Sequence, residues 1–267
     1  MSQPLRVHLL PTLIPPGQLR GGVVVVIDIL RASTVIVHAL AQGAVQVIPV
    51  SSVEAARERA EQLHRQGTPR ILLGGERHCQ LIPGFDLGNS PLDYTPARMS
   101  GSTVVFTTTN GTRAMSLCQE ADEILIGAFV NLAAVVSHLK NETRPIHLVC
   151  AGTDGEITGE DVLFAGQVAV ALKKHGRPND TVPATQISRV TDVQTDLAIA
   201  WVQQQDPDGL RTIELLMESR GASSLKELGY LDDIERCGTA NLFDIIPVLN
   251  PSTGVLRPLG NSPGSSN

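Results

Sequence analysis

Aromatic residues are scarce in this chain of 267 residues: phenylalanine, tryptophan and tyrosine together make up 3% of it. Basic residues are also few, because 21 lysines and arginines face 27 aspartates and glutamates, which gives a formal net charge of -6. Proteins that bind nucleic acids normally present a basic surface, often with aromatic side chains that stack on bases. The composition therefore argues against a nucleic-acid partner, although a few well-placed arginines can still bind a small anion.

The chain also lacks paired cysteines and long apolar runs. Its four cysteines lie far apart with no Cys-x-x-Cys pair, which is typical of reduced thiols and not of a disulfide framework or a zinc finger. The longest apolar run, residues 23–30, is too short to cross a bilayer and contains Asp28. No basic segment followed by an apolar core opens the sequence. We therefore expect a cytoplasmic protein with no membrane partner.

Motifs of several phosphate-handling enzyme classes are absent too. The sequence contains no Gly-Lys-Ser/Thr Walker loop and no strand-linked Gly-x-Gly-x-x-Gly. Cys150 is followed by glycines and acids, not by the arginine that closes the loop of a cysteine phosphatase. Leu30 stands where enzymes of the haloacid-dehalogenase type carry their second aspartate. These classes are excluded by spacing.

The most informative stretch is residues 22–34, in which four valines and an isoleucine run into Asp28, Arg31, Ser33 and Thr34. The β-branched run predicts a strand buried on both faces of a parallel sheet, and the residues after it predict a helix. Open α/β sheets bind ligands at such strand ends, where helix amides also favour an anion. Because a buried carboxylate is costly without a partner, Asp28 should meet a metal ion, Arg31 or backbone amides.

The same order of strand, polar turn and helix recurs along the chain. We expect strands at 5–10, 45–50, 70–77, 103–106, 124–128 and 145–150, with helices between and beyond them. The alternation predicts an α/β protein, a three-layer α/β/α sandwich with a largely parallel or mixed sheet, as one domain over residues 1–259 with a disordered tail at 260–267. Residues 22–66 and 102–140 share their order of elements, which suggests an internal duplication of two βαβα units despite low identity.

In a largely parallel sheet the polar turns gather along one edge. That edge would hold Asp28, Arg31, Ser33, Thr34, Glu76, Arg77, Asn110, Thr112, Arg113, Asp154, Glu156, Glu160 and Asp161. Clusters of carboxylates suit Mg²⁺, whereas arginines and hydroxyls at helix starts suit phosphate. The set predicts phosphoryl chemistry or phosphate-ester binding, with Arg31, Arg77 and Arg113 as candidate partners of anions.

Many of these residues also have a purely structural interpretation. The hydroxyls of Ser33, Thr34, Thr109 and Thr112 are of the kind that caps helices, and for any one of them alone capping is as good an explanation as binding. Glu160 and Asp161 would be two acids in the first turn of a helix, where their charges interact favourably with the helix dipole. For an isolated pair of acids, this structural role is commoner than a functional one. Asp28 has no such simple structural interpretation.

Taken together, the polar blocks resemble those of the 2-phosphosulfolactate phosphatase family. The resemblance is carried, in the family's order, by the blocks at residues 28–34, 74–77, 84–91, 107–112 and 150–152, with Glu160 and Asp161 downstream. Gly-Asn-Ser-Pro at 88–91 and Thr-Asn-Gly-Thr at 109–112 are specific. The resemblance implies a Mg²⁺-dependent acid phosphatase that hydrolyses 2-phospho-3-sulfolactate to sulfolactate and phosphate, a step of coenzyme M biosynthesis in methanogens.

The resemblance and the polar turns together define the expected site. We expect catalytic roles for Asp28, Arg31, Glu160 and Asp161. We expect substrate binding by Arg31, Ser33, Thr34, Arg77, Asn89, Ser90, Asn110, Gly111, Thr112 and Arg113. We expect Mg²⁺ ligands among Asp28, Glu76, Asp154, Glu160 and Asp161. Asp28 is either a phosphoryl-accepting nucleophile or a metal ligand, and Leu30 favours the second role, with Glu160 or Asp161 as candidate general base.

Two other functions stay open on the sequence alone. One is a phosphatase for another 2-hydroxy acid phosphate, and the other is a non-catalytic protein of the same fold that binds an anionic metabolite. The expected partner in each case is a small anionic phosphorylated molecule. A homodimer is also left open.

Overall fold

Ten strands form one mixed, mostly parallel sheet in this computed structural model, which describes residues 4–174 and 192–260. The predicted tail at 260–267 lies outside the described residues except for Gly260. The strands are β1 (Leu5–His8), β2 (Val23–Ile27), β3 (Gln46–Pro49), β4 (Ile71–Arg77), β5 (Gln80–Leu81), β6 (Thr103–Thr107), β7 (Glu123–Gly127), β8 (Ile146–Cys150), β9 (Pro247–Asn250) and β10 (Val255–Pro258). Their order across the sheet is β1-β8-β2-β7-β9-β10-β3-β6-β4-β5.

Helices pack against this sheet, which confirms the predicted α/β sandwich. Those within the described residues are α1 (Ala32–Ala41), α2 (Val53–Arg65), α3 (Pro96–Met99), α4 (Gly111–Leu117), α5 (Leu132–Lys140), α6 (Gly159–Lys174), α7 (Val193–Gln205), α8 (Thr212–Glu218), α9 (Arg220–Glu227) and α10 (Leu231–Gly238). None of these helices combines the length and the apolar character needed to span a membrane. The segments 22–66 and 102–140 each contain a strand, a helix, a strand and a helix, while the duplication itself stays a prediction.

The sheet consists of two parallel blocks joined by an antiparallel hairpin. Strands β1, β8, β2 and β7 form one block, and β3, β6 and β4 form the other, with the short β5 added antiparallel to β4 at the edge. The hairpin of β9 and β10 fills the gap, because β9 pairs with β7 and β10 pairs with β3, both antiparallel. We did not predict this arrangement from the sequence. The C-terminal hairpin therefore connects the two halves of the sheet.

Helices α1 and α4 connect the two blocks in opposite directions. Helix α1 leads from β2 to β3, whereas α4 leads from β6 back to β7. Nine of the ten residues of α1 are buried, as expected for a helix that is apolar on every side, and α1 contacts β3, β7, β9 and α4. The ends of β2 and β6 are thus brought together although four strands separate them in the sheet order. This crossing point positions the site described next.

Candidate active site

A cavity of about 380 Å³ opens where the two crossing helices begin. Its walls come from the carboxyl ends of β2, β4, β6 and β8 and from the first turn of α9. The parallel strands thus place their polar turns at one edge, as the sequence predicts. Of the residues expected to form the site, the structure brings six to this cavity: Asp28, Arg31, Glu76, Asn89, Asn110 and Asp154.

Asp28 follows β2 directly and is 8% exposed. Its Oδ1 accepts a hydrogen bond from the N–H of Ala32, the first residue of α1, at 3.3 Å. Its Oδ2 lies so close to Gly111 that a Cβ there would stand 2.7 Å from it, so only glycine fits at that position. Burial raises the pKa of Asp28 to about 7, and the negative charges of Glu76 and Glu160 add to the rise. A cation would offset this unfavourable burial.

Two of the predicted substrate-binding hydroxyls instead hold the turn after β2 in shape. The Oγ of Ser33 accepts a hydrogen bond from the N–H of Asp28 at 2.9 Å. The Oγ1 of Thr34 donates to the carbonyl of Ile29 at 2.9 Å. Both side chains are buried and neither lines the cavity. Their contacts orient Asp28 through the backbone.

Asp161 joins two turns. It is one of the two predicted candidates for the general base. Its Oδ1 accepts a hydrogen bond from the N–H of Ile29 at 2.9 Å, and its Oδ2 accepts one from the N–H of Gly152 at 3.0 Å. Burial and the nearby charge of Glu160 hold the pKa of Asp161 well above its usual range. Asp161 does not line the cavity, because its carboxylate points between the loops that follow β2 and β8.

Glu160 lies just behind the cavity wall. It is 2% exposed, and a Cβ built on Gly221 would stand 2.0 Å from its Oε1. Gly221 lines the cavity and has no side chain, so only its backbone lies between Glu160 and the cavity. Burial raises the pKa of Glu160. The carboxyl group of Glu160 therefore lies directly behind the backbone of Gly221, close to the cavity.

Glu76 joins the loops that follow β4 and β6. Its Oε1 accepts hydrogen bonds from the N–H and the hydroxyl of Thr109 at 3.0 and 3.1 Å, and its Oε2 accepts one from the N–H of Cys79 at 2.9 Å. Asp154 is exposed, and its N–H donates to Oδ1 of Asn110 at 3.4 Å. Both carboxylates line the cavity with Asp28.

The five predicted metal ligands do not converge on one point. Among residues 4–174 and 192–260, the three-ligand cluster with suitable spacing is Glu123, His138 and Glu142, where Arg144 pairs with both glutamates. Glu123 begins β7, so it lies at the end of the parallel strands opposite to the cavity. Mg²⁺ nevertheless needs only one or two carboxylates, with water and substrate oxygens completing its shell. The oxygen-rich cavity wall around Asp28 fits that mode of binding.

Arg31 is the buried cation of the site. It is 2% exposed, forms an ion pair with Asp233 of α10, and donates from Nη2 to the carbonyl of Cys79 at 3.3 Å. Its guanidinium lies 4.6 Å from the ring centroid of Tyr230. The hydroxyl of Ser90 donates to the same Asp233 at 2.6 Å and does not line the cavity. These contacts fix the guanidinium in place.

The other predicted anion partners lie elsewhere. Arg77 donates to the carbonyl of Glu76 at 2.7 Å and to Oγ1 of Thr107 at 3.0 Å, and it does not line the cavity. Arg113 is exposed and lines a separate small groove beside Asn110. Thr112 donates to the carbonyl of Thr108 at 2.8 Å, in the turn that leads into α4. Gly111 contacts Asp28 without lining the cavity itself.

Sequence reasoning missed the contribution of α9 and α10. The cavity is completed by Arg220, Gly221, Ser223 and Ser224 of α9, and Asp233 of α10 is the counterion of Arg31. The signal was present, since residues 219–224 combine serines, an arginine and a glycine as the other polar turns do. Because a helix and not a strand precedes this segment, the sequence alone does not place it at the carboxyl edge of the sheet.

The charges of the cavity indicate what it can bind. Three carboxylates line it, whereas its two guanidinium groups, Arg31 and Arg220, are already paired with Asp233 and Glu156. Within the described residues the lining is therefore acidic overall, and a phosphorylated anion would need a bound cation to enter favourably. Guanidinium groups, amides and hydroxyls beside carboxylates that can hold a cation are suited to a phosphate ester.

Comparisons with known proteins point to one family. Residues 8–252 match the family model described as 2-phosphosulpholactate phosphatase. A "Probable 2-phosphosulfolactate phosphatase" of Caldanaerobacter subterraneus subsp. tengcongensis is 39% identical over 235 residues, 88% of this chain and 89% of the relative. Proteins with the same name from Clostridium perfringens (strain SM101) and Thermotoga maritima are 39% and 37% identical, over 85% and 87% of this chain and 86% and 91% of their own lengths.

Proposed function

This chain belongs to the 2-phosphosulfolactate phosphatase family, as the sequence blocks indicated, and we propose that it hydrolyses 2-phospho-3-sulfolactate to 3-sulfolactate and inorganic phosphate. The observation that carries the proposal is that four of the family blocks each supply a residue to one cavity: Asp28 and Arg31, Glu76, Asn89, and Asn110. Blocks that are scattered in sequence thus meet in one place suited to a phosphate ester.

A divalent cation is part of the proposal. Asp28 would hold Mg²⁺, together with Glu76 or Asp154, because these carboxylates line the cavity and Asp28 is buried with a raised pKa. When bound, Mg²⁺ would neutralise phosphoryl oxygens and help to activate water. A role in coenzyme M biosynthesis and a cytoplasmic location stay predictions.

The residues of the chain itself have separate tasks in the proposed reaction. Water attacks phosphorus, the bond from phosphorus to the ester oxygen breaks, and the hydroxy acid leaves after its oxygen takes a proton. Arg31, held by Asp233, would orient the substrate by charge-assisted hydrogen bonds. Glu160 is the better candidate for proton transfer, because each oxygen of Asp161 already accepts a main-chain N–H.

Phosphate release by the purified protein tests the proposal. We expect turnover of 2-phospho-3-sulfolactate with Mg²⁺, loss of turnover in EDTA, weaker turnover of phosphoglycolate, and still weaker turnover of sugar phosphates. Preference for a different 2-hydroxy acid phosphate would indicate a phosphatase for that compound. Binding of such anions without phosphate release would indicate a non-catalytic protein that binds an anionic metabolite. Acid quenching during turnover of a labelled substrate should leave no phosphoryl group on Asp28. Full activity in metal-free protein would contradict the metal role.

A further inference from the structure

The two guanidinium groups of the cavity differ in how firmly they are held. Arg31 and its partner Asp233 have side chains that are 2% and 3% exposed. Arg220 and its partner Glu156 are 50% and 60% exposed. Breaking a buried ion pair leaves an uncompensated charge, whereas an exposed pair contributes little and exchanges partners readily. Arg220 is therefore the cavity guanidinium that can change its partner.

A tight turn after β8 presents the partner of Arg220. Thr153 and Glu156 exchange main-chain hydrogen bonds of 3.0 and 2.9 Å, and Asp154 and Gly155 between them have positive φ angles. Thr153 and Asp154 line the cavity, so the turn brings Glu156 to its rim. The ion pair of Glu156 with Arg220 thus connects this turn to the first residue of α9.

Polar groups that could serve a second anion lie beside Arg220. Ser223 and Ser224 follow it in the first turns of α9, line the cavity and are exposed. Asn89 lines the same cavity and is 7% exposed, and within the described residues its Oδ1 has no hydrogen-bond partner. This amide oxygen is an acceptor, so it would pair with a hydrogen-bond donor or a cation, whereas the two serine hydroxyls can donate to an anion. The cavity therefore offers a polar binding surface in addition to the groups around Asp28.

We propose that Arg220 is a specificity-determining residue, which exchanges Glu156 for the second anionic group, sulfonate or carboxylate, of a phosphorylated hydroxy acid. This inference rests on the proposed function and adds to it the residue that distinguishes such substrates from simple phosphate monoesters. Ser223 and Ser224 donate hydrogen bonds to the same anion. A substrate without a second anion leaves the pair of Arg220 with Glu156 intact and gains nothing from it.

The test compares substrates that differ in their second anion. Wild type, Arg220→Gln and Arg220→Lys are assayed with 2-phospho-3-sulfolactate, phosphoglycolate and phenyl phosphate, of which the last has no second anion. For Arg220→Gln we expect the kcat/KM ratio of each anionic substrate to phenyl phosphate to fall by roughly 10- to 100-fold, because a charge-assisted hydrogen bond is lost. Arg220→Lys should fall less, because it keeps the charge but not the fork of donors.

Two further variants sharpen the test. Glu156→Gln removes the competing partner, so KM for the anionic substrates should fall about 2- to 5-fold, the strength of an exposed ion pair. Arg20→Gln is the matched control, because Arg20 forms an exposed ion pair with Glu120 and lies outside the cavity lining. Inhibition by the two products gives a second readout: Arg220→Gln should weaken inhibition by 3-sulfolactate more than inhibition by inorganic phosphate.

The outcomes separate the inference from the proposed function. If wild type prefers phenyl phosphate to both anionic substrates, the proposed function is wrong. If Arg220→Gln lowers kcat/KM equally for all three substrates, or leaves their ratios unchanged, the specificity role of Arg220 is wrong even where wild type hydrolyses 2-phospho-3-sulfolactate. Thermal unfolding of each variant shows whether it is folded. If Arg220→Gln is not folded, the same kcat/KM ratios measured for Arg220→Lys decide whether Arg220 determines specificity.

Discussion

The central residue of the account, Asp28, shows how far sequence can identify a site. A carboxylate directly after a strand of valines has few structural explanations, and the structure places it in the cavity with a pKa raised by burial. Ser33 beside it could not be assigned, because a hydroxyl that caps a turn and one that binds phosphate look alike in sequence. The pairing of Arg31 with Asp233, 202 residues away, depends on tertiary packing alone.

Asp28→Asn should change the pH dependence of stability in EDTA. The pKa of Asp28 is raised from 3.8 to about 7, so the unfolded chain releases this proton near pH 4 and the folded chain keeps it to about pH 7. The stability that Asp28 contributes below pH 4 is therefore lost as pH rises from about 4 through about 7, above which both states are ionised. Relative to wild type, Asp28→Asn should gain roughly 1–4 kcal/mol in free energy of unfolding between pH 4 and pH 8.

Urea unfolding at several pH values measures this gain, with Asp232→Asn, an exposed acid on α10, as the control. Parallel pH profiles for wild type and Asp28→Asn would contradict the raised pKa. Adding Mg²⁺ in place of EDTA should stabilise wild type more than Asp28→Asn, because a ligand that binds the folded state raises its stability.

At the scale of elements, the site depends on two helices that begin side by side. The start of α4 approaches the start of α1 so closely that a Cβ on Gly111 would stand 2.6 Å from the Cβ of Ala32. The buried parallel strands could be predicted from their continuous runs of β-branched and other apolar residues, and the helices from the segments between and beyond them. The crossing of α1 and α4 could not be predicted, because it depends on the order of the strands across the sheet, which the sequence of neither helix determines.

Gly111→Ala should therefore disturb both the fold and the site. The added methyl group would collide with Ala32 and with the carboxylate of Asp28, which costs roughly 1–3 kcal/mol of stability and moves Asp28. We expect kcat/KM to fall by about tenfold or more, because small displacements of catalytic groups are costly. Gly88→Ala is the matched control for stability, because a Cβ on Gly88 would have no neighbour within 4 Å. Equal effects of the two substitutions on urea unfolding would show that the close approach is unimportant.

At the scale of the whole molecule, the C-terminal hairpin unites the two blocks of the sheet. Leu249 of β9 and Leu256 of β10 are 2% and 0% exposed, so the hairpin also contributes to the core. Its role could not be read from sequence, because β9 and β10 have four residues each, contain a proline at one end, and pair with strands distant in the chain. The order of strands across the sheet could not be predicted either, because it also depends on pairing between distant segments.

Removing residues 247–260 together with the tail should abolish cooperative folding. Strands β7 and β3 would each lose a partner, and the cavity would lose the geometry that the two blocks impose on it. We expect loss of the near-ultraviolet circular dichroism signal and of phosphate release. The control ends the chain at Gly260 and so removes none of the described residues. A truncated protein that still unfolds in one sharp transition would show that the blocks do not need the hairpin.

The most direct test of the central claim is phosphate release from 2-phospho-3-sulfolactate by wild type, Asp28→Asn and Asp232→Asn under saturating Mg²⁺. If the cavity around Asp28 is the catalytic site, Asp28→Asn should lose at least about 100-fold in kcat/KM, while Asp232→Asn keeps the wild-type value. An Asp28→Asn enzyme that is folded and as active as wild type would place the chemistry elsewhere in the molecule and contradict the account.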